Sequence, residues 1–118
     1  MIDYKDLSAW KKSRIVVSEI YLITKKFPDD EKFGLTNQLR RAAVSVPSNI
    51  AEGYNRRSDK EFAHFLKIAK GSAAEMETQI ILAMDLKYIT KEEAEYQLNS
   101  IGELIRRLGS LINRTEAK

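Results

Sequence analysis

Apolar residues recur along this chain every three or four positions, in four separate runs. In the first, Leu7, Trp10, Val17, Ile20, Tyr21 and Phe27 form a broad apolar face and predict a helix from about Asp6 to Phe27. Phe27-Pro28-Asp29-Asp30 closes it, because a residue before proline is pushed out of the α region. A second helix begins between Phe33 and Thr36 and runs to about Tyr54, on Leu35, Leu39, Ala42, Val46 and Ile50. Ser58-Asp59-Lys60-Glu61 reads as a capping box that starts a third, in which the serine takes the Glu61 amide and the glutamate reaches back. Phe62, Leu66, Ala69, Ala73, Met76, Ile80 and Ala83 then keep a strict 4-3 spacing. Beside that seam lies a second stripe, Phe65, Ile68, Ser72, Glu75, Gln79, Leu82 and Leu86, apolar at its ends and polar in its middle. Thr90-Lys91-Glu92-Glu93 is another capping box, and Ala94, Leu98, Ile101, Ile105, Leu108 and Ile112 form the seam of a fourth helix.

The stretch SVPSNIAEG, residues 45 to 53, interrupts this regularity. Pro47 removes one helical hydrogen bond and presses on the carbonyl of Ala43. The apolar period continues in register on both sides, so a kink is expected rather than a break. In a helix Ser45, Asn49 and Glu52 share a face, with Val46, Ile50 and Gly53 on the adjoining one. Ser72, Glu75 and Gln79 repeat the same spacing on the third helix. Two polar ladders that face each other would satisfy one another, with Arg40 or Arg41 as the cation for a buried Glu52 or Glu75. The expected role of the stretch is packing. Gly53 and Gly71 would let backbones approach closely or would mark helix ends. With short connections between the later helices, the expectation is an all-α, antiparallel up-down four-helix bundle, its second helix kinked at Pro47, in one domain over residues 1–118.

Composition agrees: 43% of the 118 residues are hydrophobic and 31% charged, and five glycines and two prolines leave room for long helices. The chain has no cysteine, which excludes disulfides and thiolate metal sites. Neither a signal-peptide core near the start nor a membrane-length apolar run is present in the sequence, so a cytoplasmic protein with no membrane partner is expected. The net charge of +3 is uneven. Residues 1 to 28 carry six lysines and arginines against three acids, whereas residues 58 to 88 carry four against five.

Catalytic motifs are incomplete. His64 is the sole histidine, and Glu61-Phe62-Ala63-His64 is one Glu-x-x-His element where di-iron bundles need two and further carboxylates. Ser8-Ala9-Trp10-Lys11 fits Ser-x-x-Lys without the companion motifs, and no glycine-rich phosphate loop exists. The expectation is no enzyme, no catalytic residue, no metal and no cofactor.

Longer strings carry a resemblance. They are Asp6-Leu7 with Trp10, Phe27-Pro28, Glu31-Lys32-Phe33-Gly34-Leu35, Gln38-Leu39-Arg40-Arg41-Ala42-Ala43 and the whole of Ser45 to Gly53. Phe62, Phe65-Leu66, Ile68-Ala69, Gly71-Ser72 and Glu75 extend them into the third helix. With these the chain resembles, over nearly its whole length, the four-helix bundle family encoded in intervening sequences of bacterial 23S ribosomal RNA genes. It is also similar to the basic accessory protein that partners reverse transcriptase in diversity-generating retroelements, a pentameric bundle associated with nucleic acid. The resemblance implies a homopentamer without an assigned enzymatic activity.

Two functional expectations follow. In the first, the protein associates with RNA or DNA through Lys11, Lys12 and Arg14, Arg40 and Arg41, and Arg56, Arg57 and Lys60, with Lys67 and Lys70 extending the last group. Assembly would multiply a weak subunit charge, and Tyr54 would be placed to stack on a base. The alternative is an oligomeric protein-interaction scaffold with no nucleic-acid role, drawing on the surplus apolar face around Trp10 and Tyr21. In either case Trp10, Ser45, Pro47, Asn49, Glu52, Gly53, Ser72, Glu75 and Gln79 are expected to serve packing or the subunit interface.

Overall fold

The computed structural model describes residues 3–118, and all of its regular structure is helical. Four α-helices follow in chain order: α1 (Ser8–Thr24), α2 (Leu35–Tyr54), α3 (Asp59–Asp85) and α4 (Lys91–Glu116). Short 3-10 turns at Tyr4–Asp6 and Asp29–Glu31 precede α1 and α2. The expected four-helix bundle is therefore the observed fold.

α1 is shorter at both ends than its apolar period suggests. At the start, the Asp3 carboxylate accepts the Lys5 N–H at 2.9 Å and the Asp6 carboxylate accepts the Asp3 N–H at 3.1 Å. That box closes the first 3-10 turn, and Leu7, extended at φ −69° and ψ 132°, separates it from α1. At the far end, Lys26 and Phe27 donate to carbonyls three residues back, which tightens the chain out of α geometry before Pro28. Phe27 stays buried, its ring 5.5 Å from that of Tyr88.

Capping differs at the two later helices. Thr90 and Glu93 form the complete reciprocal box. Ser58 accepts the Glu61 N–H at 3.3 Å, but Glu61 does not reach back; its carboxylate lies 3.8 Å from Arg56. The expected box at Ser58 is thus only half formed, because a cation nearby offers the carboxylate a better partner.

Neighbours in sequence are neighbours in space, and α4 returns to α1. The four helices occupy the corners of a square, so the α2–α3 edge lies opposite the α4–α1 edge. The centre is filled by Val16 and Ile20, Leu39, Val46 and Ile50, Leu66, Met76 and Ile80, and Ile101, Leu104 and Leu108, all without solvent access beyond 1%. α2 runs unbroken through Pro47. Continuity excludes a break there and does not by itself establish a bend.

Gly53 sits where α2 meets the first turns of α3. A Cβ built on it would lie 2.6 Å from the Phe65 Cβ and 3.2 Å from the Phe62 ring. The first of those atoms is fixed to the α3 backbone, so no rotamer change relieves the clash. Gly71, by contrast, faces open space within α3. Gly53 is a packing glycine and Gly71 is not.

The entry to α2 has no side-chain cap from Gly34. Glu31 supplies one from outside the helix: its carboxylate accepts the Leu35 N–H at 3.0 Å and the Tyr88 hydroxyl at 2.7 Å. The Leu35 amide, and then Tyr88, hold the Glu31 carboxyl below its ordinary value of 4.5. The same bond holds the Tyr88 hydroxyl above its ordinary 10.0. One contact thereby ties the α1–α2 connection to the α3–α4 turn.

Two predictions follow from these positions. Gly53→Ala should cost about 1–3 kcal/mol by overpacking, while Gly71→Ala should gain about 0.5–1 kcal/mol from reduced chain entropy; urea unfolding of both variants checks the opposite signs. The Glu31 contribution is complete above pH 4.5 and fades as pH falls through its lowered folded value. The Tyr88 contribution is complete below pH 10.0 and fades as pH rises through its raised folded value. Urea midpoints followed across both windows should show a shallower acid decline in Glu31→Gln and a shallower alkaline decline in Tyr88→Phe.

Candidate nucleic-acid interface

The two polar ladders meet only in part. The Ser45 and Ser72 hydroxyls are 2.9 Å apart across the α2–α3 contact. The Asn49 amide donates to the Ser45 hydroxyl and to the Ser45 carbonyl, each at 2.8 Å. Because Ser45 Oγ accepts from Asn49, its own proton is free to reach Ser72, and the three side chains form a directed relay. Glu52 and Glu75 stay outside it. Glu52 is exposed and pairs with Arg56 at 3.0 Å, one helical turn on. Glu75 is exposed on the rim of a cleft that Arg41, Ser45, Ser72 and Gln79 also line. Neither carboxylate is buried, so neither needs Arg40 or Arg41 as a counter-ion. Gln79 is buried, and its Oε1 has no hydrogen-bond donor.

The eight candidate cations divide by what they already hold. Lys12 lies 3.2 Å from Glu103, with its side chain only 12% exposed. Lys12 first, and then Arg107, hold the Glu103 carboxyl below its ordinary range. Arg40 donates to the Thr24 hydroxyl at 2.8 Å and to the Tyr21 carbonyl at 3.3 Å, and stacks 4.5 Å from the Tyr21 ring centre. It pins α2 to α1. Arg56 is spent on Glu52, Glu61 and the face of Phe65. The other five, Lys11, Arg14, Arg41, Arg57 and Lys60, are exposed and have no acid within ion-pair distance among the described residues. Arg14 lies 5.8 Å from the Trp10 ring centre, a loose cation–π contact that leaves the guanidinium in solvent.

Arg57 and Lys60 flank the α2–α3 turn at one end of the bundle. Arg57 adopts φ 57°, a left-handed conformation that costs a non-glycine residue energy and throws its side chain clear of α2. Adjoining clefts there are lined by Tyr4, Tyr54, Arg57 and Phe62, and by Lys60, His64, Lys67 and Glu116, with Lys118 on both. Tyr54 is not splayed out for stacking on a base: its ring packs at 6.2 Å against Tyr4 and at 5.7 Å, edge-on, against Phe62. Lys67 is held by Glu116 at 2.7 Å. Asp59 lies on both clefts and tempers the local charge.

Trp10 packs partly buried against the core, its ring edge-on to Tyr4 at 5.7 Å. The apolar surplus of the first helix lies elsewhere, at Ile15 and at Leu22, which is 67% exposed. α4 adds Tyr96, whose hydroxyl donates to Glu19 at 2.7 Å; that bond raises the hydroxyl above its ordinary range. Gln97, buried in the groove between Leu22 and Tyr96, has an Oε1 without a donor, like Gln79. The polar period of α4 singles out neither Tyr96 nor Gln97, because their surroundings depend on how α1 lies against α4. No helix among the described residues is long and apolar enough to cross a membrane.

A family model described as 23S rRNA-intervening sequence protein matches residues 5–110. The crystal structure of a protein with unknown function from the S23 ribosomal protein family of Bacteroides thetaiotaomicron VPI-5482 is similar in fold, with a TM-score of 0.84. It shares 30% sequence identity over 92% of this chain and 98% of that one. None of the curated proteins matches the chain.

Replacing Asn49 by leucine should break the relay at its donor and crowd an apolar group against two hydroxyls. A loss of about 1–3 kcal/mol is expected, read as a lowered urea midpoint. An unchanged midpoint together with an unchanged particle mass would show that the stretch has no packing role.

Proposed function

The chain belongs to the 23S rRNA-intervening sequence protein family, and from that premise we propose a non-enzymatic, cytoplasmic homo-oligomer, closing as a homopentamer, that associates with RNA or DNA through exposed basic side chains. The observation that carries the nucleic-acid reading is the set of five exposed cations without acid partners, of which Arg57 and Lys60 stand together at one end of the bundle. A phosphate backbone rewards such charges by releasing its condensed counterions, and the gain is sequence-independent. One subunit offers too few for tight binding. A ring repeats them and raises avidity with no new kind of contact.

Self-association draws on exposed apolar side chains on two edges of the bundle, including Ile15, Leu22 and Tyr96 on one and Ile68, Leu82 and Leu86 on the other. That much apolar surface on a chain of this size favours burial against another surface. Phe33, 88% exposed at the entrance to α2, supports the second reading, a scaffold that docks another protein.

The test is fluorescence anisotropy of a structured RNA and a DNA duplex across a salt series, with particle mass measured in the same buffers. Binding should weaken log-linearly with salt, and Arg57→Glu/Lys60→Glu should abolish it without changing the mass. An assembled wild-type protein that binds neither probe at low salt would overturn the nucleic-acid reading and favour the scaffold.

A further inference from the structure

We propose that copies of this chain join head to tail, the α4–α1 edge of one seating against the α2–α3 edge of the next. The inference rests on the self-association proposed above and names the surfaces that carry it.

Three independent features mark these two edges. Exposed apolar residues lie on both: Ile15, Leu22 and Tyr96 on the α4–α1 edge, and Val44, Ile68, Leu82 and Leu86 on the α2–α3 edge. Unpaired charge differs between them. Lys11 and Arg14 line the groove beside Ile15, whereas Glu75 stands in the middle of the Ile68–Leu82 stripe without a cation in ion-pair reach. Arg41 lies on the same cleft as Glu75 and does not close on it. Finally, the only buried side-chain oxygens without a donor among the described residues are Gln79 Oε1 and Gln97 Oε1. One lines the α2–α3 cleft and the other the α4–α1 groove.

An amide oxygen buried without a donor calls for one from outside the chain. Each edge has such an oxygen, so each edge is incomplete alone. Pairing like with like would set Lys11 and Arg14 against their own copies and Glu75 against its own. Pairing unlike edges places the cations of one copy toward the carboxylate of the next. The edges lie on opposite sides of the square, so one copy can engage two neighbours at once, and a constant rotation between copies closes a ring. Lys11, Arg14 and Arg41 then belong to the subunit contact, which leaves Arg57 and Lys60 as the cations open to a polyanion.

The test uses two variants that each destroy one edge. Leu22→Arg spoils the α4–α1 edge and Leu82→Arg the α2–α3 edge; both side chains are exposed in the single chain, so helical circular dichroism should be unchanged. Tyr96→Arg and Leu86→Arg repeat the experiment on the same edges should either first variant lose its helical signal. Wild type should be an oligomer by light scattering and each variant a monomer. An equimolar mixture should form a heterodimer and nothing larger, because it holds one intact pair of edges. A monomeric wild type would overturn self-association itself. An assembled wild type with either variant keeping its full mass, or with a mixture that stays monomeric, would overturn the edge assignment alone.

Discussion

The closeness of α2 to α3 is the constraint on which the rest of the molecule depends. Two contacts fix it: the Ser45–Ser72 hydroxyl pair and the Gly53 backbone against Phe65. From Ser45 to Gly53 the chain advances eight residues along α2, and from Ser72 to Phe65 it retreats seven along α3. The two contacts therefore share one antiparallel register, and a slip of a turn would lose both at once. Alanines at 42, 43, 69 and 73 keep the same buried zone small. Larger side chains collect toward the other helices, where Leu104, Leu108 and Ile20 fill the centre. A narrow side and a broad side follow from where the glycine, serines and alanines fall.

Much of this was legible before any coordinates. Periods of three and four residues place the four helices, and the seam from Phe62 to Ala83 matches the buried side of α3 apart from the half-buried Phe62. Local rules also find the Ser58 and Thr90 caps, since a cap involves neighbours in sequence. What local rules miss is competition. Whether Glu61 returns to Ser58 depends on Arg56, which arrives from the preceding helix. Whether Glu31 caps α2 depends on Tyr88, 57 residues away. Arg40 looked like a counter-ion for a buried carboxylate and instead holds Thr24 and the Tyr21 ring.

The candidate site divides along the same line. Spacing brings Ser45, Asn49 and Ser72 together correctly, because helical geometry alone puts them on facing sides. It places Glu52 and Glu75 on those faces as well, but a helix face spans both buried and open directions, and the carboxylates take the open one. The cations are least legible of all. A lysine that pairs with Glu103 and a lysine that pairs with nothing, Lys12 and Lys11, are adjacent in sequence and indistinguishable there. Only the packing of α1 on α4 separates them.

The unequal lengths of the helices bear on how the chain acquires its shape. α3 and α4 have 27 and 26 residues and are joined by the short turn from Leu86 to Thr90. That hairpin closes a small loop, so it can form early at little entropic cost. α1, the shortest helix at 17 residues, must find α4 across most of the chain and makes the lighter contacts with its neighbours. It is thus the element that docks last and opens first, in the sense of the least protected cooperative unit in native-state hydrogen exchange. Before α1 docks, a half-made chain holds the α2–α3 hairpin but lacks the surface that α1 shares with α4, so completion of the monomer governs when copies can recognise one another.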